Sequence, residues 1–208
     1  NLKSVSLPEG LRRIGSLAFL NCENLGGAVI PETVSEIGEG AFSGCAKISA
    51  IEVRPGNPSF LSEGGVLFNK GKTTLYCYPS GKGDTSYRIP EGVKEIAPSA
   101  FRGCKNLVEV TMGETVTNIG ESAFQSCDSL ESIVIPQSVQ RIGAVAFWLC
   151  GKLKSITILN SRCIFLSSAE LPEEYCISAG AVIYGYSDSA AQEYAKKYGR
   201  TFVSLGME

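Results

Sequence analysis

Histidine is absent from all 208 residues. That absence excludes a Ser-His-Asp or Cys-His nucleophile pair and any histidine-bearing zinc site within these residues. An excess of either charge is absent too: 19 basic against 21 acidic residues leave a formal net charge of −2. Such a balance gives no electrostatic footprint for nucleic acid or for an anionic membrane surface. No apolar run approaches the roughly 20 residues that a membrane-spanning helix requires. Cysteine occurs eight times, but never in the close Cys-x-x-Cys pairs of a metal site. Gly81-Lys-Gly-Asp-Thr fails as a phosphate loop, because no glycine stands five residues before Gly81 and Gly83 replaces the hydroxyl residue. It is read as the loop that leads into the fourth strand. Asn57 precedes proline and is therefore no glycosylation acceptor.

What is present is repetition. Ala-Phe-x-x-Cys occurs five times and places Cys22, Cys45, Cys104, Cys127 and Cys150 at spacings of 23, 59, 23 and 23 residues. A fixed period in this range signals a solenoid, whose units cannot bury an apolar face alone and must stack. Within one unit, Ile133 and Ile135 alternate with Ser132 and Val134, which reads as a short strand ended by Pro136. A second extended piece spans Val139 to Ile142, and Gly143 permits a turn. Ala146, Phe147 and Cys150 then suit a helical turn with one inward face, so the class is an α/β repeat. Phe19, Phe42, Phe101, Phe124 and Phe147 are expected to form a buried spine.

The 59-residue spacing is 23 + 36, so one unit is enlarged by 13 residues, within about 54–83. There, Gly65 to Phe68 and Thr73 to Tyr78 flank Asn69-Lys-Gly-Lys72, a β-hairpin pattern. Near the end, Ala181 to Tyr184 reads as a strand. A helix capped at Ser187, Asp188 or Ser189 runs to about Tyr198, and Thr201 to Leu205 reads as a last strand.

Leu-x-x-Ile-x-Ile, proline after the strand, then Val-x-x-Ile-Gly-x-x-Ala-Phe-x-x-Cys, closely resembles the BspA-like leucine-rich repeat of bacterial surface proteins. The resemblance covers nearly the whole chain. It implies an α/β leucine-rich-repeat solenoid with a parallel concave sheet, one β-hairpin insertion and a C-terminal β-α-β cap. Residues 1–175 are expected to form the repeat array and residues 176–208 the capping module. Asn1-Leu2 has the register of Asn24-Leu25 and Asn106-Leu107, so the chain is expected to be a piece of a longer protein with repeats or a cap before it.

The cysteine column reads most simply as a ladder of buried thiols in a small apolar slot. Cys77, Cys163 and Cys176 lie outside it, and a Cys163–Cys176 bridge in the cap stays open. Strand alternation puts Ser4, Gly27, Ala50, Ser86, Glu109, Ser132 and Ser155 in one outward column of the sheet. Ser6, Val29, Glu52, Arg88, Thr111, Val134 and Thr157 form the other. Glu52, Arg88, Glu109 and Thr111 are the ligand-binding candidates, with a cross-strand Glu52–Arg88 ion pair as the structural alternative. No aromatic or arginine anchors are expected to converge there, as an interface hot spot would require. By resemblance, the chain is a non-enzymatic extracellular module at the cell surface or secreted, binding proteins or host and matrix components in adhesion. The alternative is a spacer or display stalk for another domain. Catalysis by carboxylates such as Glu52 and Glu109 is the weakest reading, because no cleft is indicated for them. No catalytic residue, metal or cofactor is expected, and neither nucleic-acid binding nor membrane insertion. The oligomeric state is left open.

Overall fold

A strand needs a neighbour on each edge, and a 23-residue unit supplies it with the next copy of itself. The computed structural model describes residues 1–168 and 172–208. Most turns contribute one strand to a first row and a shorter one to a second row. The first row is β2 (Gly27–Ile30), β4 (Ala50–Val53), β8 (Ser86–Arg88), β10 (Glu109–Thr111), β12 (Ser132–Ile135), β14 (Ser155–Ile158), β16 (Val182–Gly185) and β17 (Phe202–Ser204). The second row is β1 (Arg13–Ile14), β3 (Glu36–Ile37), β9 (Glu95–Ile96), β11 (Asn118–Ile119), β13 (Arg141–Ile142) and β15 (Ile164–Phe165). Three further strands, β5 (Phe60–Glu63), β6 (Val66–Asn69) and β7 (Thr74–Cys77), form the insertion. The rows pair in parallel at the repeat period, with Val110 beside Tyr87, Ile133 beside Ile156 and Ile119 beside Ile142. Inward Ile, Val and Leu side chains of both rows fill the space between them.

The Ala-Phe-x-x-Cys segment is not helical, contrary to the sequence reading. The reason lies in where its amide groups point. Phe101, Phe124 and Phe147 donate their N–H groups to carbonyls of the following turn, at 2.8, 2.8 and 2.9 Å. They are therefore not available for intrahelical bonds. Instead, each segment closes by two successive tight turns, with left-handed residues before the alanine (Ser99, Ser122, Val145) and before the cysteine (Gly103, Ser126, Leu149). Gly143 does not serve as turn glycine either. Its φ lies outside the left-handed region, and a Cβ there would run into the backbone of Glu121 in the preceding turn.

The aromatic spine exists in two pieces. Phe101, Phe124 and Phe147 stack at 4.8 and 5.1 Å with nearly parallel rings, and Tyr78 joins them 5.2 Å from Phe101. Phe19 and Phe42 stack separately at 5.2 Å, with Phe19 half-buried. Tyr78 brings a hydroxyl into the column, and Asp84, which stands where other units have leucine, accepts from it at 2.8 Å. The break between Phe42 and Tyr78 divides the interior into two apolar clusters.

The insertion makes that break. β6 and β7 form the expected hairpin, and β5 adds antiparallel to β6 through the left-handed pair Gly64 and Gly65. β7 then rejoins the second row, with Leu75 beside Ile96. On the first row, the Ile51 N–H goes to the Gly65 carbonyl at 2.9 Å. As a result β4 pairs with β2 alone and β8 begins a new six-stranded sheet.

At the C-terminal end β16, α1 (Ala190–Lys197) and β17 form the expected β-α-β unit. Ser189 caps α1 by accepting from the Gln192 N–H at 3.3 Å, and Gly199 leaves it with φ 62°. Ala191, Tyr194 and Ala195 bury the inner face of the helix.

Candidate functional site

Period-two alternation forces every second side chain of β8, β10, β12 and β14 off the core. Ser86, Arg88, Glu109, Thr111, Ser132 and Val134 are all exposed. Register sets their neighbours: Thr111 lies beside Arg88, and Glu109 lies between Ser86 and Ser132. Arg88, Glu109 and Thr111 are thus brought together. Glu52 is not, because its strand, β4, is bonded to β2 and not to β8. The expected Glu52–Arg88 ion pair does not form. Arg88 Nη2 instead lies 3.5 Å from Glu91 Oε1 just past the end of its own strand, with both side chains in solvent. Such an exposed pair contributes under about 1 kcal/mol.

Beside this group is a shallow hollow of about 250 Å³ on the same sheet, lined by Glu109, Thr111, Glu114, Val134 and Leu159 among others. Glu114 and Leu159 are additions to the sequence reading. Both lie just beyond strand ends, a place that alternation alone does not mark. The second outward column also continues past Thr157 into the C-terminal unit, where Tyr184 lies beside Thr157 and Val203 beside Tyr184. The face therefore has a half-exposed aromatic at its far end, because the last two strands extend the sheet although they break the repeat period. Val134 and Val203 are exposed in the same column. The surface combines Arg88, the carboxylates of Glu91, Glu109 and Glu114, hydroxyls and a short apolar strip. It can make non-covalent contacts along an extended partner.

The cysteines take no part in this surface. All eight are free thiols, so the Cys163–Cys176 bridge is not made. Cys45, Cys127 and Cys150 point inward, and each donates its S–H to the carbonyl of the column phenylalanine one turn back, at 3.0, 3.1 and 3.1 Å. Burial pushes the Cys45 thiol up to about 11 and the Cys150 thiol up to about 12. Burial also holds Cys104 and Cys127 well above the usual thiol range. They are therefore neutral donors at ordinary pH and poor nucleophiles. In the last turn, Ser178 takes over the role, its hydroxyl donating to Phe147 O at 2.7 Å. Among the described residues no group of three Cys, Asp or Glu side chains could hold a metal ion, and no helix is long and apolar enough to cross a membrane.

Comparison with known proteins agrees with this architecture. A family model described as a BspA type leucine rich repeat region matches in six copies, over residues 1–64 and 75–171. The search of curated proteins returns no match. Among solved structures, a leucine-rich repeat protein from Eubacterium ventriosum is similar over 96% of this chain and 54% of its own, with 27% identity and a TM-score of 0.79. The pneumococcal vaccine antigen PcpA is similar over 93% of this chain and 59% of its own, at 25% identity and TM-score 0.65. A leucine rich cell surface protein from Faecalibacterium prausnitzii is similar over 93% of this chain and 62% of its own, at 27% identity and TM-score 0.61. The chain thus spans between about half and three fifths of the length of these structures.

Proposed function

The chain belongs to the BspA-type leucine-rich repeat family, and from that premise we propose that it is a non-enzymatic protein-binding module of a bacterial surface protein. Its binding face in this reading is the six-stranded sheet, with Arg88, Glu109 and Thr111 at one end and Tyr184 at the other. Glu52, on the separate β4, is at most a peripheral contact. The observation that carries the proposal is the outward column from Arg88 through Thr111, Val134 and Thr157 to Tyr184. Tyrosine and arginine are among the side chains that most often dominate interface energetics, and here each stands at one end of an accessible strip. Description of a related chain as a cell surface protein supports a surface location, with extracellular or host proteins as the partner class. Adhesion is the biological form such binding would take.

A panel of extracellular-matrix and host-surface proteins tests this by surface plasmon resonance. Concentration-dependent binding is expected for at least one of them. Arg88→Glu with Glu109→Arg, and separately Tyr184→Ala, should each weaken it about tenfold or more. A panel without signal sinks the proposal and favours a spacer that positions another domain. The small side chains at Gly27, Ala50, Ser86, Ser132 and Ser155 in the other outward column point toward that second reading.

A further inference from the structure

The face of the six-stranded sheet has two halves of different chemistry. Its charged outward side chains, Arg88 and Glu109, stand on β8 and β10. The outward residues of β12, β14 and β16 are Ser132, Val134, Ser155, Thr157, Val182 and Tyr184, and none of them is ionic. Tyr186 extends this half. It follows Gly185 as Leu159 follows Ile158, the register partner of Gly185, and Leu159 lines the hollow on this face together with Val134. Both tyrosines are half-exposed. At the borders, Lys154 and Glu131 neutralise each other at 2.8 Å, and the Glu208 carboxylate accepts from Gln137 Nε2 at 2.8 Å.

Hydrogen bonding narrows what such a surface can hold. β12, β14 and β16 each have a bonded strand on both sides. Their main-chain groups are taken, and an extended peptide gains no ladder here. The hydroxyls of Ser132, Ser155, Thr157, Tyr184 and Tyr186, by contrast, have no hydrogen-bond partner among the described residues. An apolar helix or acyl chain laid over them would take away their water and return no partner. Each of these hydroxyls can both donate and accept, and the ligand groups that answer both are hydroxyls. The tyrosine rings add apolar faces for stacking. A pyranose, with a face of C–H groups and a rim of hydroxyls, matches both features. The strands lie about 4.8 Å apart, close to the rise of one sugar unit in an extended β-linked chain. Successive units can therefore meet successive strands, from Val134 through Thr157 to Tyr184.

We propose that this half of the sheet binds a linear, uncharged β-linked polysaccharide segment, laid across β12, β14 and β16 with sugar rings on Tyr184 and Tyr186. This ligand class presupposes that the sheet is the binding face, and it assigns the neutral half of that face. An unbranched polymer is favoured over the branched glycan of a glycoprotein, because neighbouring strands repeat the same contacts at the same interval. An anionic polymer has no unpaired cation to meet on these three strands.

The test follows amide chemical shifts of the isotope-labelled chain during titration with chitohexaose and with cellohexaose. At least one should give saturable shifts at Ser155, Thr157, Tyr184 and Tyr186 that added salt leaves unaltered. Tyr184→Ala and Tyr186→Ala should each weaken that binding about tenfold, and an unchanged thermal midpoint shows that each variant is folded. Arg88→Glu with Glu109→Arg should leave the affinity for sugar as it was. Failure of both hexasaccharides overturns the proposal, as does binding that neither tyrosine variant weakens. Binding of a branched glycoprotein glycan or of heparin at these residues, with no binding of either hexasaccharide, overturns it as well. A host protein that binds the sheet while both hexasaccharides fail leaves the wider reading of the face standing and sinks only this one.

Discussion

Single side chains in this molecule are explained by the turn above or below them. The thiol of Cys150 is an instance: it fills a slot, and it also hands a proton donor to Phe124 O one turn back. The column of cysteines was visible in the sequence because small buried side chains recur at the repeat period. The hydrogen bond was not visible, because it depends on the offset between neighbouring turns, which no spacing within one turn reveals. Tyr78 and Asp84 show the same limit. Each looks like a lapse from the pattern, and only their 2.8 Å contact makes them a compensating pair. The raised thiol pKa values have a measurable consequence. An acid whose pKa is higher folded than unfolded contributes stability in full below its unfolded value, here 9.0, and loses it as pH rises toward the folded value of about 12 for Cys150. Each buried thiol then removes about 1.4 kcal/mol of stability per pH unit above that point. Urea denaturation between pH 8 and 10 should show a steep alkaline loss. Cys150→Ser should lessen it by about 1.4 kcal/mol while keeping the donor, since serine has no comparable titration. An unaltered pH dependence in that variant would mean that the thiol is not buried as described.

At the scale of elements, the corner of each turn is set by how near two backbones come. Gly120 lacks a left-handed φ, but a Cβ there would lie 2.5 Å from Pro98 N and 2.7 Å from Ala97 C. Main-chain atoms that belong to a paired turn have little room to give. Gly120→Ala is therefore expected to cost about 1–3 kcal/mol by overpacking. Gly151→Ala, where a Cβ meets nothing within 4 Å, should stay within about 0.5 kcal/mol. Chemical denaturation of both variants checks the pair, and equal losses would contradict the close approach. The recurring glycine was legible, but its purpose was misread as turn freedom, since sequence shows a position and not the distance to its neighbour. The β6–β7 hairpin was legible from its turn residues and flanking alternation. β5 went unread although Gly64-Gly65 carries a hairpin signal, because Phe60-Leu61-Ser62-Glu63 does not alternate cleanly.

Over the whole molecule, one period of 23 residues produces two parallel rows, and one irregular turn divides both. The outward residues of the candidate face followed from alternation alone. Which of them stand together did not. Glu52 and Arg88 occupy equivalent places in successive units, but the hairpin backbone takes the Ile51 N–H and separates their strands. Tyr184 was out of reach for the opposite reason: the closing strands keep the sheet after losing the repeat. The division also concentrates unpaired backbone at one level of the stack, between the second and fourth turns. Residue-resolved amide hydrogen exchange of the uniformly labelled chain measures this directly. The account predicts slow exchange at Phe101, Phe124 and Phe147, whose N–H groups bond the following turn, and fast exchange at Phe42, which has no such acceptor. Exchange at Phe101, Phe124 and Phe147 as rapid as at Phe42 would contradict stacking in register, and protection of Phe42 equal to theirs would contradict the break.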